Sequence, residues 1–141
     1  MKRSHLPRRT PLRRRTAHSR RCQDAATRAA QAAHEHRVRE LGCVLCYMLG
    51  RGWVPATLHH CRYLVGMGQR SPAWYAIPLA RPLHQLGQKP PEWPWRDDVP
   101  IEAGEAPFRA QYGVWEPELL ALTYTQLPYD PPEEVFFARC A

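Results

Sequence analysis

Two stretches decide the architecture of this chain: Val54-Pro55-Ala56-Thr57-Leu58-His59-His60-Cys61 and Trp74-Tyr75-Ala76-Ile77-Pro78-Leu79-Ala80-Arg81-Pro82-Leu83-His84. The first is extended in character and carries a histidine pair whose side chains, on a strand, face opposite ways. In the second, Trp74-Tyr75-Ala76-Ile77 is aromatic and β-branched and reads as a return strand. Pro78 is expected to end that strand, and residues 79–86 to form a short helix closed by Gly87. Strand, return strand and a helix with a third histidine make a ββα unit that can grip one metal. The expected fold class is therefore α+β: a small ββα-metal core flanked by helices, with a disordered basic N-terminal arm.

Working outward, residues 25–41 are rich in Ala, Arg, Gln and Glu, with Asp24 as N-cap and Gly42 as the stop. Their apolar stripe is thin (Ala30, Ala33, Val38, Leu41), which predicts a helix lying largely on the surface. Cys43-Val44-Leu45-Cys46 reads as a tight knuckle leading into the first strand. Residues 88–100 hold four prolines around Trp93 and Trp95 and predict an irregular, packed loop. A helix over 106–112 ends at Gly113. Another starts with Pro117 in its first turn and stops at Pro128. The expected divisions are an arm (1–23), a leading helix (24–41), a domain (42–128) and a tail (129–141), whose Val135-Phe136-Phe137 needs a cover.

The charge is lopsided. Of the 20 basic and 13 acidic residues, the first 40 positions hold twelve and three, a net +9, leaving a net of −2 on the rest. A basic arm on a near-neutral body suits a polyanion, and nucleic acid is the usual one. Arginine supplies nearly all of it (Arg8, Arg9, Arg13, Arg14 and Arg15 among others), which favours forked phosphate contacts. The bland alternative is a solubilising tail. No apolar run is long enough to span a bilayer, so no membrane partner is expected. Met1-Lys2-Arg3 is followed by no apolar stretch, and Pro7 and Pro11 break any amphipathic leader helix. Five cysteines without an export signal read as reduced thiols or metal ligands in a cytoplasmic protein.

The chemistry follows from residue types. Cutting a phosphodiester needs a base for the water and a cation for the charge that grows on the phosphate. Histidine suits the first because it titrates near neutrality. Across the strand, His59 and His60 can divide the work, one side chain towards a metal across the hairpin and the other towards the scissile bond. A one-residue offset of the strand would exchange the two. Arg62, Arg70 and Arg81 are candidate phosphate contacts or ordinary solvated residues. Gly66 and Gly68 would let backbone approach a nucleic-acid strand. Trp93 and Trp95 either stack on unpaired bases or pack in the core.

These residues together resemble the HNH (His-Me finger) endonucleases, and more narrowly the phage recombination-enhancement nucleases of the Ref type, which cut DNA with help from a RecA filament. The resemblance spans roughly 41–127. It rests on Gly42-Cys43-Val44-Leu45-Cys46-Tyr47-Met48-Leu49-Gly50, Leu58-His59-His60, Ile77-Pro78-Leu79 with His84, Val99-Pro100-Ile101, and Glu118-Leu119-Leu120-Ala121. It implies a metal-dependent endonuclease acting on single- or double-stranded DNA. His60 would be the general base, and His59 and His84 would hold one divalent cation (Mg²⁺, Mn²⁺ or Zn²⁺).

The chain also departs from the family pattern. Where members usually read Pro-Leu-Cys-x-x-His-His, this chain has Ala80 and Leu83 in place of a cysteine and a histidine. Cys43 and Cys46 are then either half of a structural Zn²⁺ site completed elsewhere (Cys61, Cys22 or Cys140) or members of an apolar cluster with Ala80 and Leu83. Further family histidines are replaced by Leu86 and Glu102. Glu102 is either an oxygen ligand for a hard cation or a surface carboxylate. The competing function is a catalytically silent DNA-binding or recombination-accessory module. A Cys43-Cys46 redox protein fits poorly, since no thioredoxin-like βαβ pattern is present.

Overall fold

The structure, a computed structural model, describes residues 25–63 and 71–132. The arm, Arg70, Gly66, Gly68, Cys22, Cys140 and the aromatic end of the tail lie outside the described residues. In chain order the elements are α1 (Ala25–Glu40), α2 (Val44–Met48), β1 (Thr57–His60), β2 (Ala76–Leu79), α3 (Arg81–His84), α4 (Glu105–Tyr112) and α5 (Glu116–Thr125). Single turns of 3₁₀ helix precede β2 (Ala73–Tyr75) and α4 (Ile101–Ala103). The molecule is thus mixed α+β, and β1, β2 and α3 follow one another as the ββα order requires. Among the described residues no helix is long and apolar enough to cross a membrane.

β1 and β2 pair antiparallel, with Thr57 opposite Leu79, Leu58 opposite Pro78, His59 opposite Ile77 and His60 opposite Ala76. Pro78 therefore lies inside β2 rather than ending it. The reason is register. Cys61 N–H donates to Tyr75 O at 3.0 Å, so the hydrogen-bonded pairs alternate through His59/Ile77 and Thr57/Leu79. Pro78 falls at a non-bonded pair, where its missing N–H breaks no ladder bond. The helix that follows is correspondingly shorter than 79–86. The knuckle at 43–46 is the start of a short helix, with the Cys43 sulfur accepting from Cys46 N–H at 3.3 Å as its cap.

The core gathers on the hairpin. Leu45, Ile77, Leu79, Leu83, Phe108, Leu119 and Leu120 are all fully buried, so α2, α3, α4 and α5 each contribute a side chain to the core around β2. α1 also packs on the sheet. Its buried residues are His34 and Val38, while Ala30 and Ala33 are exposed. The packing stripe is 31, 34, 35 and 38, one position out of phase with the alanines. His34 holds that place by stacking among aromatic rings, 4.8 Å from Trp74 and 5.7 Å from Tyr124.

Two local devices set the frame. Gly42 turns with φ +77°, and a Cβ there would stand 2.6 Å from Trp53 Nε1 and 2.9 Å from Val54 O. Only glycine fits between α1 and α2. The loop 88–100 is tied down by Asp98, which is 4% exposed. Its carboxylate accepts from Arg51 Nη1 (2.7 Å) and Nη2 (2.9 Å), Trp93 Nε1 (3.0 Å) and the Tyr112 hydroxyl (3.0 Å). Arg51 also lies 4.2 Å over the Trp95 ring. Both tryptophans are thereby used in packing.

Candidate functional site

Strand alternation puts Thr57 and His59 on one face of β1 and Leu58 and His60 on the other. On the first face, His59 meets His84 from α3 with ring centroids 5.2 Å apart, edge to face.

Each of the two rings has one nitrogen committed to a neighbour. Thr57 Oγ1 donates its single proton to Leu79 O at 3.0 Å. It can then only accept from His84 Nδ1, 2.8 Å away. His84 thus carries its proton on Nδ1 and, among the described residues, keeps the Nε2 lone pair free. Burial, then the neighbouring charge of His59, pushes the His84 pKa down to about 4, so the ring is neutral at physiological pH. His59 Nε2 lies 2.7 Å from Glu116 Oε1. A carboxylate can only accept, so in the neutral ring Nε2 bears the proton and Nδ1 the lone pair. A hydrogen-bonded second nitrogen is the usual arrangement behind a metal-binding histidine.

Sequence reasoning does not single out Glu116. It is 2% exposed, in the first turn of α5, where a negative charge meets the positive helix end. Its other oxygen accepts from the backbone N–H groups of Arg62 (2.9 Å) and Tyr63 (3.1 Å). It therefore both fixes His59 and pins the turn that leaves β1. The only sequence signal is an acid just before Pro117, which reads equally well as a helix-end charge. Thr57 is legible in principle, because it shares His59's strand face two positions away.

The site opens into a cleft of about 550 Å³ lined by His59, Arg62, Leu86, Glu102, Trp115 and Glu116. Arg62 is exposed at its rim. Glu102 is also exposed, and its Oε2 accepts from Leu86 N–H at 3.2 Å. Arg81 is exposed at the start of α3. His60 faces away from this cleft. It lies in a groove of about 670 Å³ between β1 and α1, lined also by Arg28, Gln31, Glu35 and Trp74. Its Nε2 is 3.1 Å from Glu35 Oε1.

Among the described residues both expected metal sites stop at two donors. At His59 and His84 these are two ring nitrogens with lone pairs, and Glu102 lines the same cleft as His59. At Cys43 and Cys46 they are two sulfurs. The Cys46 thiol hydrogen-bonds the Cys43 sulfur and, with backbone groups of Ala80, Cys46 and Leu45, outweighs burial to bring Cys43 down to about 7. That same bond, and then burial, raises Cys46. Ala80 (1% exposed) and Leu83 (0%) share the core with the pair and offer no ligand. Cys61 is raised by burial and by the charge of Glu116, its neighbour on the other site. Among the described residues no group of three or more His, Cys, Asp or Glu stands ready to hold a metal. Four-coordinate zinc is thus not completed at Cys43 and Cys46 by the described residues.

A small antiparallel hairpin running into a short helix, with paired histidines over a cleft, defines the class of site. A family model described as recombination enhancement, RecA-dependent nuclease matches residues 26–128, and the chain belongs to that family. No curated protein and no solved structure matches it.

Proposed function

We propose that the chain is an HNH-type, metal-dependent DNA endonuclease that works in recombination alongside a RecA filament. The observation that carries this reading is the His59–His84 pair, 5.2 Å apart, with one nitrogen of each ring held by Glu116 or Thr57 and the other left as a lone pair. His59 and His84 would hold the cation (Mg²⁺, Mn²⁺ or Zn²⁺), with Glu102 as an oxygen donor at the cleft rim. When bound, such a cation polarises the phosphate and stabilises the leaving oxygen.

The chain's own residues supply the rest. His60 accepts the proton of the attacking water as its oxygen bonds to phosphorus and the bond to the leaving sugar oxygen breaks. Arg62, exposed at the cleft rim, contacts phosphate through its guanidinium fork. Arg70, Arg81 and the arm add sequence-independent affinity. Cys43, Cys46, Ala80 and Leu83 act as an apolar cluster that supports α3 without a structural zinc.

A second reading is a silent DNA-binding accessory module. What favours it is that His60 lines a different groove from His59. Supercoiled-plasmid nicking with each cation, with and without a RecA filament, separates the two. The His60→Ala chain should lose turnover yet bind metal in calorimetric titration. His59→Ala and His84→Ala should lose both. Metal binding lost in His60→Ala but kept in His59→Ala would exchange their roles. Full nicking by all three variants would remove the mechanism.

A further inference from the structure

Glu35 stands on the packing stripe of α1, between buried His34 and Val38, and is half-buried. An apolar residue there would be the ordinary choice, because partial burial of a carboxylate costs free energy unless a donor compensates. The donor is His60, with Nε2 3.1 Å from Glu35 Oε1 across 25 positions of sequence. The other acid late in α1, Glu40, behaves differently. It pairs within the helix with His36 at 3.4 Å, and both are well exposed. Glu35 alone among the described carboxylates of α1 turns to the hairpin.

We infer that Glu35 is the positioning residue for His60. A carboxylate accepts only, so it holds the neutral His60 ring as the Nε2–H tautomer and leaves Nδ1 to take the proton from water. The inference rests on His60 being the base. It makes α1 part of the machinery. The helix that follows the basic arm in sequence also carries the group that orients the base, in a groove lined by Arg28, Gln31 and His60.

The test uses the full chain with Glu35→Ala, Glu35→Gln and Glu35→Asp, read by plasmid nicking and by nitrogen-15 NMR of the His60 ring. Expected are a fall in kcat on the order of 10–100-fold for Ala with KM for DNA nearly unchanged, a smaller fall for Gln, which keeps one acceptor oxygen, and substantial recovery for Asp. The wild-type ring should show one tautomer, protonated at Nε2, and Glu35→Ala a mixture. Glu35→Gln keeps size and helix propensity, so a melting temperature matching the wild type separates positioning from folding. Wild-type kcat in Glu35→Ala, a change confined to KM, or an unchanged tautomer would each overturn the inference while leaving the nuclease reading intact. Nicking by His60→Ala at the wild-type rate would overturn the inference together with the assignment of His60 as the base.

Discussion

His59 and Glu116 are separated by 57 positions in sequence and meet at 2.7 Å, both almost wholly buried. The hydrogen bond joins β1 to the first turn of α5. It turns a strand histidine into an oriented group, and the second carboxylate oxygen closes the turn at Arg62 and Tyr63.

Removing that carboxylate should therefore cost both stability and metal. Glu116→Ala leaves buried His59 and the part-buried N–H groups of Arg62 and Tyr63 without their acceptor. A loss of about 1–3 kcal/mol is expected from denaturant unfolding. Glu116→Gln keeps one acceptor oxygen and should lose less. An unfolding midpoint unchanged in both would mean that the carboxylate contributes nothing to the fold.

Thr57 offers a quieter perturbation. Thr57→Val keeps the strand shape but removes the hydroxyl that receives His84 Nδ1–H. The ring is then free to change tautomer, and affinity for the cation should drop about 10–100-fold with little change in melting temperature. Calorimetric titration of metal into the folded variant reads this directly. Wild-type affinity would show that the hydroxyl does not orient His84.

The metal-free protein should be less stable in mild acid. Burial holds His34 below its usual 6.5, against the raising effect of Glu35. Unfolded chain therefore takes up a proton that folded chain refuses. This contribution is complete above 6.5 and is lost as the pH falls towards the folded value. His84, at about 4, acts in the same direction. His34→Phe should shrink the drop in urea midpoint between neutral pH and mild acid without abolishing it. A drop as large as the wild type's would place its origin elsewhere.

Asp98 governs a lower range. Burial would raise its carboxyl, but hydrogen bonds from Arg51, Trp93 and Tyr112 outweigh this and hold it below 3.8. Its contribution is present above that value and lost as the pH falls through the folded pKa. Asp98→Asn should blunt the final acid-unfolding step and lower stability at neutral pH, because it breaks the buried pair with Arg51. Equal acid midpoints for the two chains would contradict this.

The arm should supply affinity and no chemistry. Deleting residues 1–23 removes nine basic residues and no acid. DNA binding should weaken, and the log–log salt slope should become shallower by about 0.9 for each phosphate that the arm neutralises. Nicking at saturating DNA should survive. The same affinity and slope in the truncated chain would reduce the arm to a solubilising tail.

Local order and periodicity determine much of this molecule. Strand alternation by itself separates His59 from His60, because neighbouring Cβ atoms on a strand point to opposite faces. Gly42 and Gly113 end their helices, Pro117 sits in the first turn of its own, and two tryptophans among prolines anticipate a packed loop, each for a reason acting within a few residues. Pro78 escapes a local reading. Whether a missing N–H breaks a strand depends on which pairs are bonded, and Cys61 with Tyr75 sets that. The partners of the histidines lie further out of reach. Glu116 and Glu35 are ordinary helix acids in sequence, 57 and 25 positions from the rings they hold. Nothing local distinguishes a carboxylate that will be buried against a histidine from one that will face water. Only the packing of α1 and α5 around a two-stranded sheet brings each acid to its ring, and only there does exclusion of water make the hydrogen bond matter.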